Sequence, residues 1–298
     1  MTLSLSGIFA PVVTPFLENG ELDRAGFEHN VRSHLQHGLR GVVVTGSTGE
    51  APLLDERERE SLVEWARPHV TGDRLLIAGV GAESTRTTLR YAERAAERGV
   101  DAILVVAPHY YGVMSNDALR AHFLRIADES PAPLVLYNIP KYMHYKLAPS
   151  LVAELARHEN CVGIKDSTGE RDLFVSYLDA QGDTFDVLTG NGTFLKSALE
   201  LGGRGGVVAV SVFATSLTLA VADAVARGDR ATAEALQDRL TPLAKAIVGE
   251  MGPAGIKAAM DCVALRGGPP RPPLLPLGRT ELERVRQLLR NAELSVAA

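Results

Sequence analysis

The chain has 298 residues, of which 46% are hydrophobic and 22% charged, close to the averages for a soluble globular protein. That composition excludes a disordered or collagen-like chain and allows a large core in one or two domains. Its 31 basic and 36 acidic residues leave a net charge of −5 with the signs interspersed, which argues against a nucleic-acid or anionic-membrane partner and for a small-molecule ligand.

Apolar, β-branched runs fall at 7–15, 41–45, 75–80, 102–107, 134–139, 162–165, 186–189 and 206–210. Segments with helical spacing lie between them, at 22–37, 55–70, 84–98, 116–129, 149–158, 170–180 and 193–201. Most of the runs are continuously apolar rather than alternating, the pattern of parallel strands buried on both faces. Asp55 and Ser84 suit helix starts, and Gly38, Gly99 and Gly202 follow last turns. Eight strand–helix alternations with short connections predict a closed (β/α)8 TIM barrel; an open doubly wound sheet is the runner-up, because pattern alone does not show closure. Beyond the eighth strand the pattern is wholly helical, at 215–227, 230–248, 253–265 and 280–291. The first of these completes a barrel domain over 1–227, and the other three form a C-terminal helical appendage over 228–298. Within 267–278, Gly-Gly-Pro-Pro-Arg-Pro-Pro reads as an extended connector, with a proline-rich ligand segment as the functional alternative.

Two cysteines, Cys161 and Cys262, are too few for a disulfide framework and are expected to be buried free thiols. No Cys/His cluster suggests a metal, and none is expected. Residues 1–6 lack a basic region followed by an apolar run, so a cytoplasmic location is expected. His34 and His37, three apart on the first helix, read as surface histidines, and the charges of 55–60 read as a solvated helix face.

Active sites of such barrels lie at the C-terminal ends of the strands, so polar residues that end apolar runs are the first candidates. Of the six lysines, Lys165 alone sits inside an apolar strand, Val162-Gly163-Ile164-Lys165. Burying an ammonium is costly and favours the neutral amine that Schiff-base chemistry needs. The bland reading pairs Lys165 with Asp166 or points it to solvent. After the second strand, Thr45-Gly46-Ser47-Thr48-Gly49-Glu50 combines two glycines with two hydroxyls, a turn able to cradle a carboxylate. It lacks the Gly-Lys-Ser/Thr of a phosphate loop and the Gly-x-Ser-x-Gly of a hydrolase elbow. Tyr137 ends the fifth strand, and Tyr110 and Tyr111 follow the fourth; a phenol near a neutral lysine can shuttle protons, although strand-end tyrosines also serve as packing.

Taken together, these residues resemble the dihydrodipicolinate synthase / N-acetylneuraminate lyase family of pyruvate-dependent class I aldolases. The likeness runs through Thr14-Pro15, Gly46-Ser47-Thr48-Gly49-Glu50, Pro108-His109-Tyr110-Tyr111, Tyr137-Asn138-Ile139-Pro140, Gly163-Ile164-Lys165-Asp166, Thr189-Gly190-Asn191 and Leu201-Gly202-Gly203. The resemblance implies that Lys165 forms an imine with pyruvate or a 2-oxo acid and that no other cofactor is used. It further implies that Tyr137 is the general acid/base and that Ser47 and Thr48 hold the carboxylate, with Ser47 joining the proton relay. Gly46, Gly190, Val207 and Tyr142 would line the substrate site, and Tyr110 or Tyr111 would reach across a contact in a homodimer or tetramer. The synthases carry an arginine two residues after the strand-five proline, where this chain has Tyr142. The sialic-acid lyases carry Gly-x-Asp-Glu where this chain has Gly190-Asn191-Gly192-Thr193. The favoured activity is therefore cleavage or formation of a C–C bond in a 2-keto-3-deoxy sugar acid or related 2-oxo acid. The alternatives are dihydrodipicolinate synthase, a dehydratase on the same imine chemistry, and a non-catalytic ligand-binding barrel.

Overall fold

The computed structural model describes residues 3–296; Met1 and Thr2, the first two residues of the 1–6 segment, and 297–298 at the end of the expected appendage lie outside them. Eight strands, Gly7–Pro11 (β1), Gly41–Val44 (β2), Leu75–Gly79 (β3), Ala102–Val106 (β4), Leu134–Asn138 (β5), Cys161–Asp166 (β6), Asp186–Thr189 (β7) and Gly205–Val207 (β8), pair in parallel, each with the next. β8 returns to β1 in the register Gly7↔Gly205, Ile8↔Gly206, Phe9↔Val207, so the sheet is a closed barrel and the open alternative is excluded. Glycine makes that seam possible: a Cβ on Gly205 would lie 1.9 Å from the carbonyl oxygen of Gly7.

Around the barrel lie Arg24–Gln36 (α1), Glu56–Ala66 (α2), Thr85–Glu97 (α3), Asn116–Glu129 (α4), Pro140–Met143 (α5), Pro149–Leu155 (α6), Arg171–Leu178 (α7), Leu195–Glu200 (α8) and Thr215–Ala226 (α9). The caps expected at Asp55 and Ser84 are present; Asp55 and Glu58 form a reciprocal capping box, with both bonds at 2.9 Å. Arg230–Pro242 (α10), Gly252–Cys262 (α11) and Arg279–Asn291 (α12) follow. α11 packs against the turn after β2 and the segment after β8, which places it at the end of the barrel where the strands finish. No helix among the described residues is long and apolar enough to cross a membrane.

Several details depart from the sequence expectation. The eighth apolar run leaves the sheet after Val207 and continues as a 3₁₀ turn, Ala209–Val212, because a short buried run has no period that separates strand from helix. The single helix expected over 230–248 changes at Pro242, which lacks an N–H, into a π-helical stretch, Leu243–Glu250. His34 is not on the surface: it is buried in α1, and burial pulls its imidazole down to about 3. Cys161 is buried as expected, whereas Cys262 is only half-buried. The 55–60 face is not wholly solvated, because Glu58 binds Arg271 and the Arg59 guanidinium lies against Gly79 and Ala51 carbonyls.

Candidate active site

Register brings the two central residues together. β5 and β6 pair Tyr137 directly with Lys165, and the Lys165 Nζ stands 4.1 Å from the Tyr137 ring centroid. Lys165 is 6% exposed and Tyr137 5%. Successive side chains alternate faces along a strand, so Asp166 turns away from Lys165. Its carboxylate accepts from Asn138 Nδ2 at 2.7 Å and from the Thr168 hydroxyl at 2.6 Å. Burial pushes the Asp166 carboxyl above the usual range, and those two hydrogen bonds oppose the shift. The bland reading, Lys165 paired with Asp166 or turned to solvent, is thereby overturned. Lys165 has no carboxylate partner within 4 Å among the described residues. Gly190, after β7, leaves room for it: a Cβ there would meet Lys165 Cε at 2.7 Å and Ser167 Oγ at 2.0 Å.

The turn after β2 stands on the same barrel face, since all eight strands run parallel. Ser47–Gly49 form one 3₁₀ turn, closed by Gly49 N–H on the Gly46 carbonyl at 3.0 Å. Two non-glycine residues bracket it in the left-handed region, Thr45 at φ 52° and Glu50 at φ 57°, a rare conformation for a β-branched residue. The Thr45 hydroxyl holds its own backbone there, shared between the Val44 carbonyl at 2.7 Å and the Gly79 carbonyl at 2.9 Å. From the segment after β1, the Thr14 hydroxyl donates to the Gly49 carbonyl at 2.7 Å. Among the described residues, neither the hydroxyls nor the backbone N–H groups of Ser47 and Thr48 are engaged in a hydrogen bond, so four donors are left for an anion.

Tyr142 sits on α5, a single turn that the sequence reading missed and that Pro140 starts. It is 38% exposed; partial burial first, and the neighbouring Tyr137 second, push its hydroxyl above the usual tyrosine range. Lys141 beside it donates to the Gly249 carbonyl at 2.8 Å and is thus tied to the C-terminal region. Val207 ends β8 and is buried. Tyr110 and Tyr111 are not gathered onto Lys165 within this chain. They stand edge-to-face with ring centroids 5.3 Å apart and are 79% and 87% exposed. The loop that carries them is pinned by Glu83, which accepts the His109 and Tyr110 N–H groups at 2.9 Å each.

Sequence reasoning missed Ser167, whose hydroxyl lies beside Lys165 and Gly190. The two-residue step from Lys165, one residue past the end of β6, could have found it. It also missed the buried pair of Glu50 and Lys257, Nζ to Oε1 2.5 Å; a lysine within the apolar run Gly255-Ile256-Lys257-Ala258-Ala259-Met260 was the available signal. Among the described residues, no three His, Cys, Asp or Glu side chains are grouped as metal ligands would be.

A family model, the dihydrodipicolinate synthetase family, matches residues 4–292. Over 275 residues the chain is 34% identical to a 4-hydroxy-tetrahydrodipicolinate synthase from an Exiguobacterium species, covering 92% of this chain and 94% of the relative. The crystal structure of a dihydrodipicolinate synthase from Bacillus anthracis superposes with a TM-score of 0.93 at 29% identity, covering 97% of this chain and 98% of that one. An enzyme of the same name from Acinetobacter baumannii, crystallised with pyruvate, gives a TM-score of 0.92 at 28% identity, covering 98% and 100%.

Proposed function

The chain belongs to the dihydrodipicolinate synthetase family of imine-forming, pyruvate-dependent carbon–carbon lyases, and on that premise we propose that Lys165 is its nucleophile. The observation that carries the assignment is the pairing of Lys165 with Tyr137 on adjacent strands, an amine enclosed without a carboxylate and 4.1 Å from a phenol ring. Lys165 Nζ attacks C2 of a 2-oxo acid, water leaves, and the imine forms. In the cleavage direction Tyr137 takes the C4 hydroxyl proton as the C3–C4 bond breaks, and the imine accepts the electron pair as an enamine. Protonation at C3 and hydrolysis release pyruvate. Ser47 and Thr48 hold the carboxylate, Ser47 passes protons, and Gly46, Gly190 and Val207 shape the wall. The chemistry uses no metal and no cofactor beyond the imine, so activity persists in EDTA.

The residues at the mouth of the site bear on the second substrate. Tyr142 stands where the synthases place an arginine, and a phenol makes no charge-assisted bidentate pair with a carboxylate. Lys141 is occupied by the Gly249 carbonyl, and the Ser167 hydroxyl and the Lys165 side chain both border Gly190. These features support a 2-keto-3-deoxy sugar acid or a related hydroxylated 2-oxo acid. The synthase reading is favoured by the names of the relatives. Release of pyruvate from a panel of 4-hydroxy-2-oxo acids, with and without a distal carboxylate, is to be compared with condensation of pyruvate and aspartate semialdehyde. Higher kcat/KM on the panel supports the sugar-acid reading, and Tyr142→Arg then raises the condensation by about 10–150-fold, the worth of a charged hydrogen-bonded pair. If the parent condenses the semialdehyde as efficiently as it cleaves any panel member, the protein is a synthase; no turnover and no imine would mean a non-catalytic barrel.

The same reading divides the chain at 227/228 into barrel and appendage, locates the protein in the cytoplasm, and makes it a homodimer or tetramer in which Tyr110 or Tyr111 reaches a partner's site. Their exposure supports the last point, and sedimentation of Tyr110→Ser and Tyr111→Ser variants tests it.

A further inference from the structure

The Gly-Gly-Pro-Pro-Arg-Pro-Pro segment has no part in the chemistry above, yet its arginine reaches back to the barrel. Arg271 stacks 4.1 Å over the Phe16 ring and makes two 2.6 Å bonds to the Glu58 carboxylate. It also donates to the Leu53 carbonyl at 2.8 Å and the Gly20 carbonyl at 2.6 Å. Its backbone N–H donates to Glu50 Oε2 at 2.9 Å. The other oxygen of that carboxylate lies 2.5 Å from Lys257 Nζ, which also donates to the Pro269 carbonyl at 2.9 Å and sits 4.3 Å over Phe16. The connector and α11 therefore converge on one buried carboxylate. Glu50 is the last residue of the carboxylate-cradling turn and has φ 57°.

A left-handed glutamate persists only where its surroundings over-determine it, and a buried carboxylate needs a cationic partner. Thr14 and the Thr45 hydroxyl fix the turn from the barrel side, and Glu50 fixes it from the C-terminal side. We propose that Lys257 and Arg271 are positioning residues that act through Glu50 to hold the 46–50 turn in the geometry that receives the 2-oxo acid carboxylate. The proposal rests on the reading that Ser47 and Thr48 bind that carboxylate. The helical appendage is then a working part of the site.

Borohydride labelling of Lys165 at increasing pyruvate tests it, read as the half-saturating concentration and the maximal labelling, alongside the thermal midpoint. Arg271→Lys keeps the charge and loses the fork. In it the half-saturating pyruvate rises roughly ten- to a hundredfold, as expected for donors displaced by about an ångström, while maximal labelling is kept. Lys257→Met leaves Glu50 buried without its cation and is expected to lower the thermal midpoint; the double variant Glu50→Gln/Lys257→Met regains it without regaining pyruvate affinity. Half-saturation within about twofold of the parent in folded Arg271→Lys and in the double variant overturns the proposal, as does an affinity that simply follows the thermal midpoint back. Ser47→Ala separates the two readings. If it weakens pyruvate while the Arg271 and Lys257 variants do not, only the positioning role fails; if it leaves pyruvate binding unchanged, the carboxylate reading fails.

Discussion

Two lysines are buried at the same end of this barrel, and their surroundings differ in every respect that matters to chemistry. Lys257 is the more enclosed: its ammonium touches Glu50, the Pro269 carbonyl and the face of Phe16. Burial pulls it below the ordinary lysine range, against the opposing pull of Glu50. Among the described residues Lys165 has no carboxylate within reach; its neighbours are a phenol ring, a glycine and a serine hydroxyl that bonds to no other described residue. Burial by itself therefore does not mark a nucleophile. On the proposed assignment, what marks it is a buried amine without a counter-charge, beside a phenol able to carry a proton and a wall cut back to glycine.

The comparison can be broken at Tyr137, where the largest effect is expected. Tyr137→Phe removes one hydroxyl and little volume, so kcat should fall by about 10²–10⁴-fold while pyruvate still labels Lys165. Activity within a fewfold of the parent would show that the phenol only packs. Lys257→Met comes next and acts on stability. An orphaned buried carboxylate costs about 3–5 kcal/mol, visible in denaturant midpoints, whereas Lys165→Met should leave the fold intact because no charged partner is abandoned. Equal destabilisation by the two would erase the distinction between them.

A third buried basic group sharpens the comparison through its pH dependence, with no effect near neutral pH. His34, held down to about 3, stays neutral in the folded protein, while the unfolded chain protonates it below its ordinary value near 6.5. The unfolded state then binds the extra proton, so stability falls as pH drops from about 6.5 towards 3, by roughly 1.4 kcal/mol per pH unit for this group. His34→Leu should flatten the unfolding free energy against pH by that slope. An unchanged slope would mean that His34 is not buried neutral.

The barrel was legible because eight apolar runs, most of them continuous, alternate with capped amphipathic helices; closure was not, since it depends on Gly7 and Gly205 meeting across a seam 198 residues apart. Lys165, Tyr137 and the 46–50 turn were legible because a strand end is a local pattern. Glu50 with Lys257 and Arg271 with Glu58 were not, because each pair joins residues more than 200 positions apart. His34 was misread for a related reason: on a helix the burial of a polar side chain is decided by what packs over it, and α1 alone does not show that.

The central claim is that imine chemistry belongs to Lys165 and not to the more deeply buried Lys257. Reduction with borohydride in the presence of pyruvate, followed by peptide mapping of the labelled protein, tests it most directly. One pyruvyl-derived adduct per chain, on the peptide carrying Lys165 and absent without pyruvate, is the expected result. An adduct on Lys257 or on any other lysine, or no adduct at saturating pyruvate, would contradict it.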